Sequence, residues 1–390
     1  MMSTDRHSAP FRVFIVAGEP SGDLLAARLM AALKELHEDV EFSGVGGPLM
    51  TAQGLPSLFP MDDLTVMGVA EVVPKLPLLL KRISQTAAAA RNIKPDVFIT
   101  VDAPDFSFRV AKKLAGVAFK KIHYVAPSVW AWRPGRARKI AALYDHLLTL
   151  LPFEPPYFEA EGLAATFIGH SIIESGAADG NAARFREKYK IAPEDPLLMI
   201  LPGSRRGEVT RHMDVFRQTA EAVSQKVSGL RIAIPVIGKT APLVAEAIRG
   251  WLMPVTIIED AGDKYDAMAA ADVALAASGT VGLELALAKL PSVIAYRMHP
   301  LTAIIARKFV KLKYVNLINI LQDAEIVPEY LLEDCTVDNL APAVSELFHD
   351  GEMRDAQLSG YEQAMSDLGY GGDAPGMRAA KVVMEVAVKS

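Results

Sequence analysis

Short apolar runs alternate with helix-patterned segments along this chain from end to end. The runs are Arg12–Ala17, Glu41–Val45, Val97–Val101, Lys121–Val125, His146–Leu150, Leu198–Leu201, Arg231–Val236, Thr256–Ile258, Val273–Leu275 and Ser292–Tyr296. Such alternation specifies an α/β architecture, with parallel strands joined by crossover helices. Ten strands exceed one compact Rossmann unit and divide well into two. Pro152, Pro155 and Pro156 precede a small, polar stretch, Gly169–Gly180, which places a linker at 168–180. Each half opens alike, with VFIVAGEPSGD in the first and LLMILPGSRRGE in the second: strand, small-residue turn, helix. The expected domains are therefore 1–170 and 171–350. A helical tail, 351–390, adds no strand and would pack back on the first domain or on another chain.

Composition narrows the function. A chain that is 51% hydrophobic and 22% charged belongs with soluble globular proteins. One cysteine, Cys335, excludes an intrachain disulfide framework and a cysteine metal cluster, and suits a reducing compartment. The short N-terminal apolar run leads into a turn and reads as a first strand, not a secretory signal. The longest apolar stretch, Leu64–Leu80, is broken by Glu71, Pro74, Lys75 and Pro77; it cannot span a bilayer but suits lying on one. The net charge of −5 divides into +4 over residues 1–150 and −9 over the remainder, with +10 concentrated in Leu64–Ile140. That excess points to an anionic partner: nucleic acid, phospholipid headgroups or a phosphorylated substrate.

Four segments carry candidate chemistry. In LLMILPGSRRGE a strand ends in Gly203, Ser204, Arg205 and Arg206 before a helix, where backbone N–H groups and arginine suit a phosphate or diphosphate. An ordinary strand-to-helix turn with solvated arginines is the alternative. Ser278, Gly279 and Thr280 follow another strand and offer hydroxyls and N–H groups, while Glu284, one turn on, fits ribose hydroxyls or simply a favourable first helical turn. Asp102 ends the run VFITVDAPDF, where a carboxylate can act as a general base, while Asp105 fits an N-cap better. The fourth is HYVAPSVWAWR, in which Trp130 and Trp132 precede Arg133, Arg136, Arg138 and Lys139; it would stack on sugars or bases, sit at a membrane interface, or pack over the core. Leu64–Ile83 pairs apolar residues (Val66, Met67, Val69, Val72, Leu76, Leu79, Leu80) with Lys81 and Arg82, which suits docking on anionic lipid; a core helix is its alternative. Nucleic-acid binding would explain the basic patch but not its greasy neighbour. Histidines are scattered and no Asp-x-Asp pair occurs, so no metal is expected. No complete GxGxxG follows a strand, which argues against a dinucleotide oxidoreductase.

Together these residues resemble the lipid-A-disaccharide synthase family over almost the whole chain. The resemblance rests on VAGEPSGD (Val16–Asp23), DDLTVMGVAEV (Asp62–Val72), KPDVFITVDAPDF (Lys94–Phe106), IHYVAPSVWAWR (Ile122–Arg133), FIGHS (Phe167–Ser171), LPGSRRGEV (Leu201–Val209), and ASGTVGLELALAKLP with YRMHP (Ala277–Pro300). It implies a GT-B fold, two Rossmann-like domains with parallel sheets facing a central cleft. It implies an inverting transfer, without cofactor or metal, from UDP-2,3-diacylglucosamine to 2,3-diacylglucosamine 1-phosphate (lipid X), at the cytoplasmic face of the bacterial inner membrane. A homodimer with exchanged C-terminal elements is implied as well. By position, Asp102 matches the catalytic carboxylate, Arg205 the diphosphate arginine, Glu284 the nucleotide glutamate and Asn319 an active-site asparagine. The family usually presents that asparagine after a proline; here Ile318 precedes it. The nearest rivals are another GT-B UDP-sugar enzyme, such as an epimerase, and a non-catalytic lipid- or nucleotide-binding protein with this fold.

Overall fold

The computed structural model describes residues 10–64, 69–131, 135–236, 238–298 and 313–388, with the backbone alone for 69–74 and 239. The chain forms two compact units, Met1–Ser171 with Gly371–Ser390, and Ile172–Tyr370. The expected tail is therefore divided. Helix Gly351–Asp367 belongs to the second unit and helix Pro375–Val388 to the first.

In the first unit, β1 (Phe11–Ala17), β2 (Val40–Val45), β3 (Val97–Val101), β4 (Lys120–Tyr124), β5 (His146–Thr149) and β6 (Ala164–Phe167) form one parallel sheet in the order β2-β1-β3-β4-β5-β6. Successive side chains of a strand face opposite ways, and both faces here are covered. Val13, Ile15, Val97 and Ile99 pack with Leu29, Leu33, Ala379 and Val383, from helices Pro20–Leu36 and Pro375–Val388. Phe14, Val16 and Phe98 pack with Ile83, Ala87, Val110 and Leu114, mostly from helices Val69–Ile93 and Pro104–Lys113. The C-terminal helix thus adds Ala379, Ala380 and Val383 to one face of the first core, and Arg378 secures it by donating to the Phe167 carbonyl at 3.1 Å.

The second unit repeats the scheme with β7 (Leu197–Leu201), β8 (Arg231–Pro235), β9 (Val255–Ile258), β10 (Val273–Ala277), β11 (Ser292–Tyr296) and β12 (Glu329–Leu331), all parallel, in the order β12-β11-β10-β7-β8-β9. β3, β7 and β10 are buried at every position, as their unbroken apolar runs require in a sheet covered on both faces. Sequence periodicity misses β6 and β12. Both are short edge strands, partly exposed, so neither carries the fully apolar signature of a central strand.

Strand order fixes where loops converge. In the first sheet the chain runs from β1 outward to β2 and returns past β1 to β3; in the second it runs from β7 outward to β9 and returns to β10. The β1/β3 and β7/β10 pairs are therefore topological switch points, where the loops part to opposite faces and leave a crevice at the carboxyl ends.

Candidate active site

The turns after β1 and β3 meet at the first switch point. Asp102 and Ala103 both take left-handed backbone conformations, with φ of 53° and 45°. Aspartate tolerates that region better than alanine, and each such residue costs on the order of 1–3 kcal/mol. The turn is held by the Asp102 amide donating to the Tyr124 carbonyl at 2.9 Å and by the Ser107 hydroxyl donating to the Asp102 carbonyl at 2.8 Å. Gly18 sits against this turn so closely that a Cβ there would lie 2.9 Å from the Ala103 Cβ. Glu19 follows, and burial first, then the Asp102 charge, raises its carboxyl above the usual range. Two carboxylates from neighbouring strands thus share this crevice, and only Asp102 stands out in the sequence. Among the described residues, no hydrogen bond or ion pair engages the Asp102 carboxylate.

Asp23, at the end of the VAGEPSGD motif, is scaffolding. The buried Asp23 carboxylate accepts from the amides of Gly47, Leu49 and Met50 at 2.9, 3.0 and 3.1 Å, tying the turn after β1 to the start of helix Pro48–Ala52. On the other flank Glu154 is buried and accepts from Trp130 Nε1 and from the amides of Leu150 and Leu151. Desolvation outweighs those bonds and pushes its carboxyl up to about 7. Trp130, half-buried, is thereby held against the fold, with Phe153 packed edge-on 5.2 Å away. Trp132 and Arg133 lie outside the described residues. Asp105 makes no side-chain cap bond at the start of its helix; Ala103 occupies the N-cap position.

At the second switch point, the turn Pro202–Arg205 requires Gly203 twice over. Its φ is +111°, and a Cβ there would lie 2.6 Å from Glu208. The Ser204 and Arg205 amides donate to Glu208 Oε2 at 3.1 and 3.2 Å. Those amides, expected from sequence to await a phosphate, are thus satisfied by the chain's own buried carboxylate. Arg205 remains available: its guanidinium touches Glu208 at 3.2 Å while its side chain is 72% exposed. Across the crevice, Ser278 is half-buried and Gly279 and Thr280 are exposed, and Thr280 makes no side-chain cap bond to the helix Val281–Leu287. The Glu284 carboxylate receives both Lys264 Nζ, at 2.6 and 2.8 Å, and Tyr265 Oη at 3.1 Å. Lys264 and Tyr265 carry no sequence signal of their own; only the fold brings helix Asp263–Ala270 beside Glu284.

Asn319 is placed differently from the role the resemblance implies. It is fully buried. Its amide nitrogen donates to the Val327 carbonyl and Glu329 Oε1, both at 2.7 Å, and its oxygen accepts from the Ile326 and Val327 amides, both at 2.8 Å. A carboxamide has two donors and two acceptor sites, so none is left for a ligand. Asn319 braces the segment that ends in β12. Ile318 in place of a proline has a local use, because its N–H donates to Asn316 Oδ1 at 2.8 Å.

The expected docking helix also divides. Val66 and Met67 lie outside the described residues, and for Val69 and Val72 the backbone alone is described. Leu76 and Leu80 are 39% and 48% exposed, Leu79 is half-buried, and Lys75 and Lys81 are exposed. Arg82 is committed inward, to Asp63 at 2.7 Å, to Gln85 at 2.7 Å and over the Phe59 ring. From Ile83 onward one face of the helix, Ile83, Ala87 and Ala90, packs into the core. Among the described residues, no helix is long and apolar enough to cross a membrane.

Comparison with known proteins agrees with this layout. The lipid-A-disaccharide synthetase family model matches residues 13–369. A lipid-A-disaccharide synthase of Rhodospirillum centenum is 53% identical over 384 residues, covering 97% of this chain and 96% of the relative. One from Paramagnetospirillum magneticum is 46% identical over 378 residues, covering 96% and 97%. Among solved structures, a putative UDP-N-acetylglucosamine 2-epimerase from Listeria monocytogenes matches with a TM-score of 0.67 at 14% identity, over 98% of this chain and 97% of that one. A glycosyltransferase from Rickettsia africae matches with a TM-score of 0.59 at 13% identity, over 98% and 100%. At such identities the solved structures speak for the fold alone, the two-unit GT-B type. The near full-length relatives decide the rest: the chain belongs to the lipid-A-disaccharide synthetase family.

Proposed function

We propose that this protein is an inverting glycosyltransferase that joins UDP-2,3-diacylglucosamine and 2,3-diacylglucosamine 1-phosphate into the β-1,6-linked disaccharide 1-phosphate, releasing UDP. The observation that carries the reading is 53% identity to a lipid-A-disaccharide synthase over 97% of the chain. In the reaction the acceptor's 6-oxygen forms a bond to the donor's anomeric carbon as the bond to the diphosphate breaks. The proton passes to Asp102, and the electron pair leaves with UDP. General-base help of this kind is worth ~10²–10⁴ in rate. The strained turn, and the absence of a donor or cation on the Asp102 carboxylate among the described residues, support its role as that base. Arg205 and the hydroxyls of Ser278 and Thr280 stabilise the charge that grows on the leaving diphosphate, and Glu284 holds the ribose. The test is incubation of the full chain with radiolabelled 2,3-diacylglucosamine 1-phosphate and the UDP-linked donor. Disaccharide formation is expected, and its absence with an active control enzyme present refutes the reading.

Both substrates carry acyl chains, and each CH₂ left in water costs ~0.8 kcal/mol. Leu76, Leu79 and Leu80, flanked by Lys75 and Lys81, supply an apolar ridge with cations on a helix that packs Ile83, Ala87 and Ala90 into the core. We infer that this ridge docks the enzyme on the anionic inner face of the bacterial inner membrane. Changing Leu76 and Leu80 together to Ser is expected to reduce sedimentation with anionic liposomes severalfold; unchanged sedimentation removes the ridge from that role. A homodimer that exchanges helix Pro375–Val388 fits the way this helix, at the end of the chain, covers one face of the first sheet, and light scattering of the eluted protein tests whether the chain dimerises.

A further inference from the structure

His212, on helix Arg206–Ser224, is completely buried. Its Nδ1 lies 2.9 Å from the Pro202 carbonyl oxygen and its Nε2 lies 2.9 Å from the Arg297 amide. These partners fix the tautomer. A carbonyl only accepts, so Nδ1 carries the proton and donates; an amide N–H only donates, so Nε2 is the bare acceptor. Pro202 opens the turn after β7, and Arg297 follows β11. In the sheet, β10 separates those two strands. The link therefore spans the strand that ends in Ser278–Thr280. Arg211 closes it from the adjacent position, its Nε donating to the Arg297 carbonyl at 3.0 Å. Residue 297 is thus gripped by both its N–H and its C=O, from consecutive residues of one helix. Its guanidinium is anchored in turn on the Cys335 carbonyl.

We propose that His212 is a positioning residue that sets the spacing of the nucleotide edge, holding the turn Pro202–Arg205 and the end of β11 in fixed register on either side of the Ser278–Thr280 turn. This rests on the UDP-sugar reading of the second unit. The surroundings would accept a plain hydrophobe: the imidazole stacks 5.4 Å from the Phe216 ring and lies 5.3 Å from the Tyr296 ring. What a hydrophobe lacks and the neutral imidazole supplies is a donor on one side and an acceptor on the other. A second proton would face the Arg297 N–H and break the link. Burial disfavours that proton, as do Arg211 and Arg297, against the opposing pull of the Pro202 carbonyl bond and Glu208. Tyr296 and Cys335 are the other titratable groups beside the clamp.

The test measures UDP binding by calorimetry at pH 8 on the full chain, alongside thermal melting. His212→Leu removes both bonds, His212→Asn keeps a donor at the Nδ1 position, and His212→Gln keeps an acceptor within reach of Arg297. His212→Leu is expected to weaken UDP binding about tenfold, since it orphans two buried backbone groups, with the amide variants intermediate and the loss in turnover carried by KM more than kcat. If His212→Leu fails to fold, the two amide variants decide by the same measure. UDP affinity equal to the unaltered protein's in every folded variant overturns the proposal, whatever happens to the melting temperature. If the unaltered protein binds no UDP, the nucleotide reading falls and the clamp with it; if it binds while the variants bind equally well, the clamp alone falls.

Discussion

In the first unit, the turn after β3 holds Asp102 in a left-handed backbone, with no donor or cation on its carboxylate among the described residues. At the switch point of the second unit, the turn after β7 is closed by Glu208 on its own amides, and Glu284 nearby is closed by Lys264 and Tyr265. The two edges stand on the same kind of sheet and at the same kind of switch point. They differ in where cost is left standing. The first keeps backbone strain and two mutually repelling carboxylates, Glu19 and Asp102. The second satisfies the Ser204 and Arg205 amides and the Glu284 carboxylate internally, so that a ligand there would have to exchange one set of partners for another. Stored strain suits a reacting group, and satisfied, exchangeable contacts suit binding.

The largest expected effect tests that division directly. Asp102→Asn should cut turnover by ~10²–10⁴ and leave UDP affinity in calorimetry unchanged. Loss of both would make the first edge structural and break the comparison.

Next comes stability against pH, where the first unit carries opposed titrations. Glu154 is pushed up to about 7 in the fold, so the folded state keeps a proton that the unfolded chain gives up above its ordinary range. The stability this contributes is complete below pH 4.5 and is lost as pH rises through 7, by about 3 kcal/mol in all. His123 and His170 are pushed down by burial to about 3 and about 4. The unfolded chain takes their protons first, so stability also falls as pH drops from 6.5 toward those values. Thermal melting across pH 4–9 should show both losses, and Glu154→Gln should flatten only the alkaline one. A variant profile that still falls between pH 5 and 8 would remove Glu154 as its source.

On the second edge, Arg205→Ala should weaken UDP binding by roughly 10–100-fold, the worth of a charge-assisted bond to phosphate, and should slow turnover with it. Normal turnover would place Arg205 outside the site. Lys264→Met is the smallest change, about a threefold rise in the Kd for UDP, since the lysine orients Glu284 through a partly exposed ion pair. A rise as large as that for Arg205 would mean that Lys264 itself reaches the ligand.

The chain's alternating apolar runs were enough to specify two parallel α/β units, and the small-residue turns after β7 and β10 marked one edge. Strand ends carry local signals, because an apolar run must stop where a Gly, Ser or Asp turn begins. Asp102 was legible for the same reason. Glu19 lay inside a recognisable motif, but its proximity to Asp102 depends on β1 and β3 being neighbours, which strand order alone decides. Lys264, Tyr265 and His212 left no mark on periodicity, since their partners lie 20, 19 and 85 residues away. The resemblance marks Asn319 by position, while its four hydrogen bonds to residues 326–329 depend on the fold.

What the residues determined by themselves was the local grammar: which runs are strands, where each ends, and which side chains stand at those ends. Only the tertiary structure decided which ends meet and which of their polar groups are already satisfied. Hydrogen-bond satisfaction is a property of pairs, and most of those pairs form only when the sheets close.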